Sequence, residues 1–156
     1  MEVNSITELF SGESNFIANA ANLCAYIYHN YPNINWVGFY FLSGNELVLG
    51  PFQGKIACIR IPIGKGVCGT AVIEKKAIIV PDVHKFPGHI VCDSDSQSEM
   101  VIPLFFEGKI FGVLDIDSPI KNRFNEEDLK IFQSFLRNLC EATDINKVIN
   151  YYSNEN

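Results

Sequence analysis

The sequence contains no apolar run that approaches the roughly 20 residues needed for a membrane-spanning helix. It is also short of basic residues. The 12 Lys and Arg stand against 18 Asp and Glu, and the net charge of −6 disfavours a nucleic acid or an anionic membrane as partner. The N-terminal segment MEVNSITELF has neither a basic region nor a continuous apolar one. We therefore expect no signal peptide and a cytoplasmic location.

The cysteines number five, an odd count that suits a structural disulfide framework poorly. In a reducing compartment, disulfides are usually transient and catalytic. Three of the five, Cys58, Cys68 and Cys92, lie in the middle third of the chain, which indicates sulfur chemistry. Cys24 and Cys140 lie on the apolar stripes of predicted helices. We expect both to be core residues, because a free cysteine packs as a small hydrophobe.

The chain, at 156 residues, fits one domain over 1–156, with its core at about 5–143 and a polar, frayed tail at 151–156. Apolar periodicity predicts helices over 14–30, 67–74 and 125–142. The N-cap of the first is Ser14 and that of the last is Asn125. β-propensity and turn residues predict strands over 35–42, 47–50, 55–61, 77–80, 99–106 and 109–117.

These elements predict an α+β fold rather than a doubly wound sheet, because the strands do not alternate regularly with long helices. We expect a central, mostly antiparallel sheet. The N-terminal and C-terminal helices would cover one face, and the irregular middle of the chain would form a pocket on the other.

Acidic side chains define the second predicted hairpin. Asp115 and Asp117 are two residues apart and therefore share one strand face, which could be a solvated face or the wall of a pocket. A regular two-residue turn at Glu107-Gly108 would place Glu99 on the opposite face. If the three acids serve one pocket, we expect a three-residue turn, a bulge, or an unpaired Glu99.

Two of the central cysteines have informative surroundings. Cys68 is predicted near the start of a short helix, where free backbone N–H groups favour a bound carboxylate or a thiolate. Cys92 precedes a polar, serine- and aspartate-rich stretch, so solvent or a ligand should reach it. Trp36 in the first hairpin has two interpretations: core packing, or an indole wall for a small apolar ligand group.

Three segments together resemble a known family. They are GPFQGKIACIRIPIGKGVCGTAV, DVHKFPGHIVCDSDSQSEMVIPL and GVLDIDS. They closely resemble the free methionine-(R)-sulfoxide reductases, which are built on a GAF domain, and the resemblance covers about residues 5–143. It implies reduction of free L-methionine-(R)-S-oxide to L-methionine through a cysteine sulfenic acid and an intramolecular disulfide.

The resemblance also implies roles for residues and partners. Cys92 matches the catalytic cysteine, Cys58 the principal resolving cysteine, and Cys68 a further cysteine whose role is open. Trp36 matches an indole beside the substrate's methyl group. The acids matched to the substrate pocket are Glu99, Asp115 and Asp117. Thioredoxin would be the external reductant, no metal or bound redox cofactor is implied, and relatives suggest a homodimer.

Two alternatives stay open. The first is a sensory GAF module that binds a cyclic nucleotide or another small ligand without turnover. The second is a metal site, although the cysteine spacings fit no common zinc signature. Its ligands would come from Cys58, Cys68, Cys92, His84 and His89. NADPH consumption with thioredoxin, thioredoxin reductase and free methionine sulfoxide distinguishes turnover from ligand binding and from stoichiometric zinc.

Overall fold

The computed structural model describes residues 5–153, which form helices and one antiparallel sheet. The helices are α1 (Ile6–Leu9), α2 (Phe16–Asn30), α3 (Gly66–Glu74), α4 (Glu126–Ala142) and α5 (Ile145–Ser153). The strands are β1 (Trp36–Ser43), β2 (Glu46–Gly54), β3 (Arg60–Pro62), β4 (Ile78–Val80), β5 (Ser98–Phe106) and β6 (Lys109–Ser118). None of the described helices is both long enough and apolar enough to cross a membrane.

The sheet has six strands in the order β3-β2-β1-β6-β5-β4, and every neighbouring pair is antiparallel. The two hairpins, β1-β2 and β5-β6, lie side by side through β1 and β6. This arrangement confirms the predicted α+β class and the predicted antiparallel sheet.

The two faces of the sheet bury different groups. On one face α2, α4 and α5 pack against a core that includes Leu23, Phe39 and Phe132. On the other face α3 packs through Ala71 against a smaller cluster that includes Val101. The terminal helices therefore share one face, as predicted, and the opposite face is left for α3 and the irregular segments.

The predicted strand over 55–61 is wrong for most of its length. Only Arg60–Pro62 pairs with β2, and residues 55–59 leave the sheet. Ile59 is exposed while Ile61 is buried, although two residues at this spacing would share one face of a regular strand. The segment 55–59 is instead held by two side chains of β1. The Trp36 indole N–H donates to the Lys55 carbonyl, and the Tyr40 hydroxyl donates to the Cys58 carbonyl.

The return strand of the first hairpin is longer than predicted, because β2 runs through Pro51 to Gly54. The β1–β2 register shifts between Gly38 and Tyr40, where Gly50 and Pro51 together stand opposite Phe39. A bulge accommodates a proline, which has no N–H to give to the ladder.

Two helix predictions also need correction. Asn15, not Ser14, caps α2, and its side chain accepts from the backbone N–H of Ala18. The predicted frayed tail is helical up to Ser153, because α5 packs Ile145 into the core and Tyr152 against Phe41. The remainder of that predicted tail, 154–156, lies outside the described residues.

We expect α5 to contribute to global stability through its buried stripe. Ile145→Ala should lower the free energy of unfolding by about 2–5 kcal/mol, because it removes a core side chain. Asn150→Ala, on the exposed side of the same helix, is the matched control and should change it by less than about 0.5 kcal/mol. Urea unfolding followed by circular dichroism measures both. Equal shifts in the two variants would show that α5 is not packed as described.

Candidate active site

A pocket of about 40 Å³ lies on the α3 face of the sheet. Six of the seven residues predicted for the site line it: Trp36, Cys68, Cys92, Glu99, Asp115 and Asp117. The seventh, Cys58, forms a disulfide with Cys92, with a Cα–Cα distance of 5.7 Å. Residues far apart in the sequence are thus brought together at one place.

The register of the second hairpin puts the three acids on one face. The turn is the two-residue one, with Phe106 opposite Lys109, but the register shifts so that Leu104 stands opposite Gly112. Phe111 is the extra residue of this bulge, which confirms one of the three geometries predicted above. The shift sets Glu99 opposite Asp117, and both point to the same side as Asp115.

The carboxyl groups of Glu99 and Asp115 are almost fully removed from water, with 6% and 7% of each residue exposed. Burial, and after it the nearby Asp117 charge, raise the pKa of Glu99 to about 8, against a hydrogen bond with Asp115 that lowers it. Burial also raises the pKa of Asp115, and the Glu99 carboxyl adds to that rise. The pair therefore retains protons at neutral pH.

Asp117 differs from the other two acids because its side chain is only partly buried. Burial and the Asp115 carboxyl still raise its pKa, and Asp93 adds to the effect. Partial access to solvent weakens such effects. Asp117 is accordingly the acid best suited to be ionised and to pair with a cation.

Cys68 is the third residue of α3 and is buried against the acids. Burial raises the pKa of its thiol, and the neighbouring Asp115 and Glu99 raise it further. The dipole of the short helix does not offset these effects, so Cys68 is a neutral thiol here. Of the two anions considered for this helix N-terminus, the Cys68 thiolate is the one that the structure disfavours.

The disulfide joins two irregular segments, 55–59 and 89–97. Cys92 is exposed, as predicted for a polar loop, and Cys58 is partly buried. A second link joins the same segments, because the Lys55 ammonium pairs with Asp95 and lies 3.8 Å from an Asp93 oxygen. The two cysteines are thus held at the rim of the pocket by loops rather than by the sheet.

Trp36 fits both of its predicted interpretations. Its indole is 3% exposed and stacks on Phe52, with ring centroids 5.4 Å apart. It also lines the pocket. Gly38 makes this placement feasible, because a Cβ atom there would overlap the Trp36 ring.

Two pocket residues were not assigned to the acid and cysteine site from the sequence. Tyr40 lies on β1, two residues beyond Gly38, and lines the pocket. The aromatic residues of this strand do not indicate from the sequence which of them faces a pocket. The His89 Nε2 atom lies 3.7 Å from a Glu99 oxygen, and burial lowers the pKa of the imidazole. The sequence signal that could have placed His89 in the pocket is its position between Gly88 and Cys92.

The remaining cysteines and His84 lie elsewhere. Cys24 is buried in the helix-face core, as expected, and donates to the Pro51 carbonyl at 3.4 Å. Cys140 is partly buried against the same core, and burial raises its pKa to about 11. His84 is exposed on the 3-10 turn Val83–Lys85. The predicted five-residue metal site does not assemble, since its His84 is outside the pocket and its Cys58 and Cys92 are bonded together.

Comparisons with known proteins agree with this geometry. The GAF domain family matches residues 16–142. The free methionine-R-sulfoxide reductase of Escherichia coli is 50% identical over 142 residues, which cover 89% of this chain and 86% of the relative.

Solved structures of free methionine-R-sulfoxide reductases are also similar to this chain. The fRMsr of Staphylococcus aureus in its reduced form has a TM-score of 0.84 and 50% identity, covering 88% of this chain and 89% of that one. The free methionine-R-sulfoxide reductase of Neisseria meningitidis, in complex with its substrate, has a TM-score of 0.84 and 41% identity, covering 88% and 83%. With the family match, the sequence identity and the shared fold in agreement, this chain belongs to the GAF-domain family of free methionine-R-sulfoxide reductases.

Proposed function

We propose that this protein reduces free L-methionine-(R)-S-oxide to L-methionine, with Cys92 as nucleophile and Cys58 as resolving thiol. The observation that carries the proposal is the Cys58–Cys92 disulfide at the rim of a pocket floored by buried carboxyl groups. A sensory module that only binds a ligand has no need of a redox-active pair beside a proton donor. The sulfoxide reductases of the comparisons support the same substrate.

The buried acids provide the proton that the reaction needs. A sulfoxide sulfur becomes electrophilic when its oxygen is protonated or strongly hydrogen-bonded. Glu99 and Asp115 retain protons near neutral pH and face the pocket from adjacent strands, so one of them can donate to that oxygen. Ionised Asp117 can pair with the substrate ammonium, and Trp36 can border its methyl group.

The chemistry has two covalent steps in the protein. The Cys92 thiolate attacks the sulfoxide sulfur, and the oxygen passes to the cysteine, so methionine leaves and a Cys92 sulfenic acid remains. Methionine sulfur gains two electrons and the cysteine loses two. The Cys58 thiol then condenses with the sulfenic acid, which forms the S–S bond and releases one water. The structure corresponds to the protein after this second step.

Recycling of the disulfide requires a dithiol of the thioredoxin class. Such a dithiol supplies two electrons and two protons through a mixed disulfide. Cys92 is the more exposed sulfur of the pair and is the one that we expect the reductant to attack. One chain supplies both cysteines and the acids, so a homodimer, which the family resemblance suggests, would carry two complete sites.

The first test of function concerns the cysteines. Cys92→Ser should abolish turnover, because a serine hydroxyl is far too weak a nucleophile at neutral pH. Cys58→Ser should release about one methionine per active site in a burst and then stop, unless Cys68 replaces the missing thiol. The measurement is methionine release with and without thioredoxin.

Cys140→Ser, far from the pocket, is the matched control and should cycle normally. Full thioredoxin-dependent cycling in a Cys58→Ser/Cys68→Ser double variant would remove the resolving role from both residues. Substantial steady-state activity in Cys92→Ser would place the nucleophile elsewhere.

A second test concerns the proton donor. The pKa of Glu99 is raised to about 8, and the reaction needs the protonated form, so kcat/KM should fall as pH rises above about 8. Glu99→Gln cannot give up a proton, and should lower kcat/KM by about 10²–10⁴-fold and alter this alkaline decline. Glu141→Gln, an exposed acid of α4 outside the pocket, is the matched control. An unchanged pH profile in Glu99→Gln would exclude Glu99 as the titrating donor.

A third test concerns selectivity for the free amino acid. An internal methionine sulfoxide in a peptide has no ammonium to pair with Asp117, and the loss of this charged hydrogen bond, worth about 1.5–3 kcal/mol, should lower kcat/KM by about 10–100-fold. Rates on the free amino acid and on a short blocked peptide can be compared in the same NADPH-coupled assay. Comparable rates on both would refute the role of the acids in substrate choice.

A further inference from the structure

We propose that the disulfide form of the protein binds one divalent cation such as zinc in this pocket, through the Cys68 sulfur and the carboxylates of Glu99 and Asp115. These three groups give up their protons when the cation binds. This inference goes beyond the reductase activity, because it gives the pocket a second class of ligand. One ligand atom from each of the three residues lies within 4.8 Å of the other two. The residues stand on α3, β5 and β6, which are regular elements that fix their positions.

An unpartnered atom gives independent support for a ligand at this place. The Asp115 Oδ1 atom is buried and, among the described residues, has no hydrogen-bond partner. Only 7% of the surface of Asp115 is exposed, so the residue is more than nine-tenths buried, and it lines the pocket. A buried carboxyl oxygen without a partner carries a desolvation cost that a bound cation would remove. The orphaned atom therefore points to a positively charged ligand.

The charge of the pocket leads to the same conclusion. Its acids are Asp93, Glu99, Asp115 and Asp117, whereas the one basic side chain among the described residues that line it is His89. His89 Nε2 lies 3.7 Å from a Glu99 oxygen. His89 thus lies beside the three-residue cluster and is not part of it, so the fourth ligand of a tetrahedral zinc ion would be a water molecule.

The donor set and the space select the kind of cation. Sulfur and carboxylate oxygen together are ligands of zinc and cobalt, whereas magnesium and calcium prefer oxygen alone. The pocket volume of about 40 Å³ has room for the ion and a water ligand.

The disulfide makes the site simple to test. Cys58 and Cys92 are bonded together, and Cys24 and Cys140 lie outside the pocket, so Cys68 is the thiol available there. Cobalt(II) reports this directly, because a bound thiolate gives a sulfur-to-cobalt charge-transfer band in the near ultraviolet. The readout needs no turnover, so its failure and the failure of the proposed reductase activity are distinguishable.

The experiment titrates cobalt chloride into the disulfide form of the full chain, after the free thiols have been counted. We expect saturation at one cobalt per chain, a charge-transfer band, and displacement of that band by zinc. Cys68→Ser should lose the band and weaken binding at least about 10-fold, since even the loss of an outer partner of a metal ligand costs about 10–100-fold. Cys140→Ser is the control and should match the unaltered protein.

A second variant keeps the thiol and removes one carboxylate. Glu99→Gln should retain a charge-transfer band and bind cobalt at least about 10-fold more weakly. Circular dichroism checks that each variant remains folded. The proposal is overturned by absence of saturable binding at one equivalent, by a band that survives Cys68→Ser, or by an unchanged affinity in folded Glu99→Gln.

Discussion

The removal of Glu99 and Asp115 from water is the constraint on which the rest of this site depends. A carboxyl group that stays hydrated loses its proton well below neutral pH, and then it cannot donate to a sulfoxide oxygen. The protein prevents this by placing both groups on the inner face of a sheet and covering them with α3. The bulge at Phe111 is necessary to that arrangement, because without it Glu99 would point to the helix face. One irregular residue in the ladder thereby sets the chemistry of the pocket.

The residues of the proposed reaction lie partly on the sheet and partly on the loops. The acids stand on paired strands, where the register fixes their separation, whereas both cysteines of the disulfide stand on loops. This division suits the chemistry, since proton donation needs a fixed geometry and disulfide formation needs two sulfurs that can approach and separate. Tyr40 couples the two parts, because its buried hydroxyl reaches from β1 to the carbonyl of Cys58. The Trp36 indole makes a second such bond, to the Lys55 carbonyl, so two side chains of β1 tie the loop 55–59 to the sheet.

Much of this could be predicted from the sequence, and the failures have physical causes. Alternation along β6 predicted that Asp115 and Asp117 share a face, and the parity of the turn predicted that only an irregularity could bring Glu99 to it. The segment 55–59 was predicted to be a strand because its residues alternate, but contacts with Tyr40 and the disulfide to Cys92 decide its path. Those contacts join residues far apart in the chain, which local periodicity does not report. The helix α5 was missed although Ile145, Val148 and Tyr152 recur at helical spacing, because a short segment with two asparagines has little helix propensity and depends on tertiary packing to form.

The central claim is that the pocket holds a protonated carboxyl group at neutral pH, and direct titration of Glu99 tests it. The protein would be labelled with carbon-13 at the glutamate side-chain carboxyl. The Glu99 resonance would be assigned by its loss in Glu99→Gln and followed by NMR across the pH range in the disulfide form. The account predicts a midpoint of about 8 for Glu99, whereas exposed glutamates titrate at about 4.3. A Glu99 carboxyl that is already ionised at pH 7, with a midpoint near that of the exposed glutamates, would contradict the account.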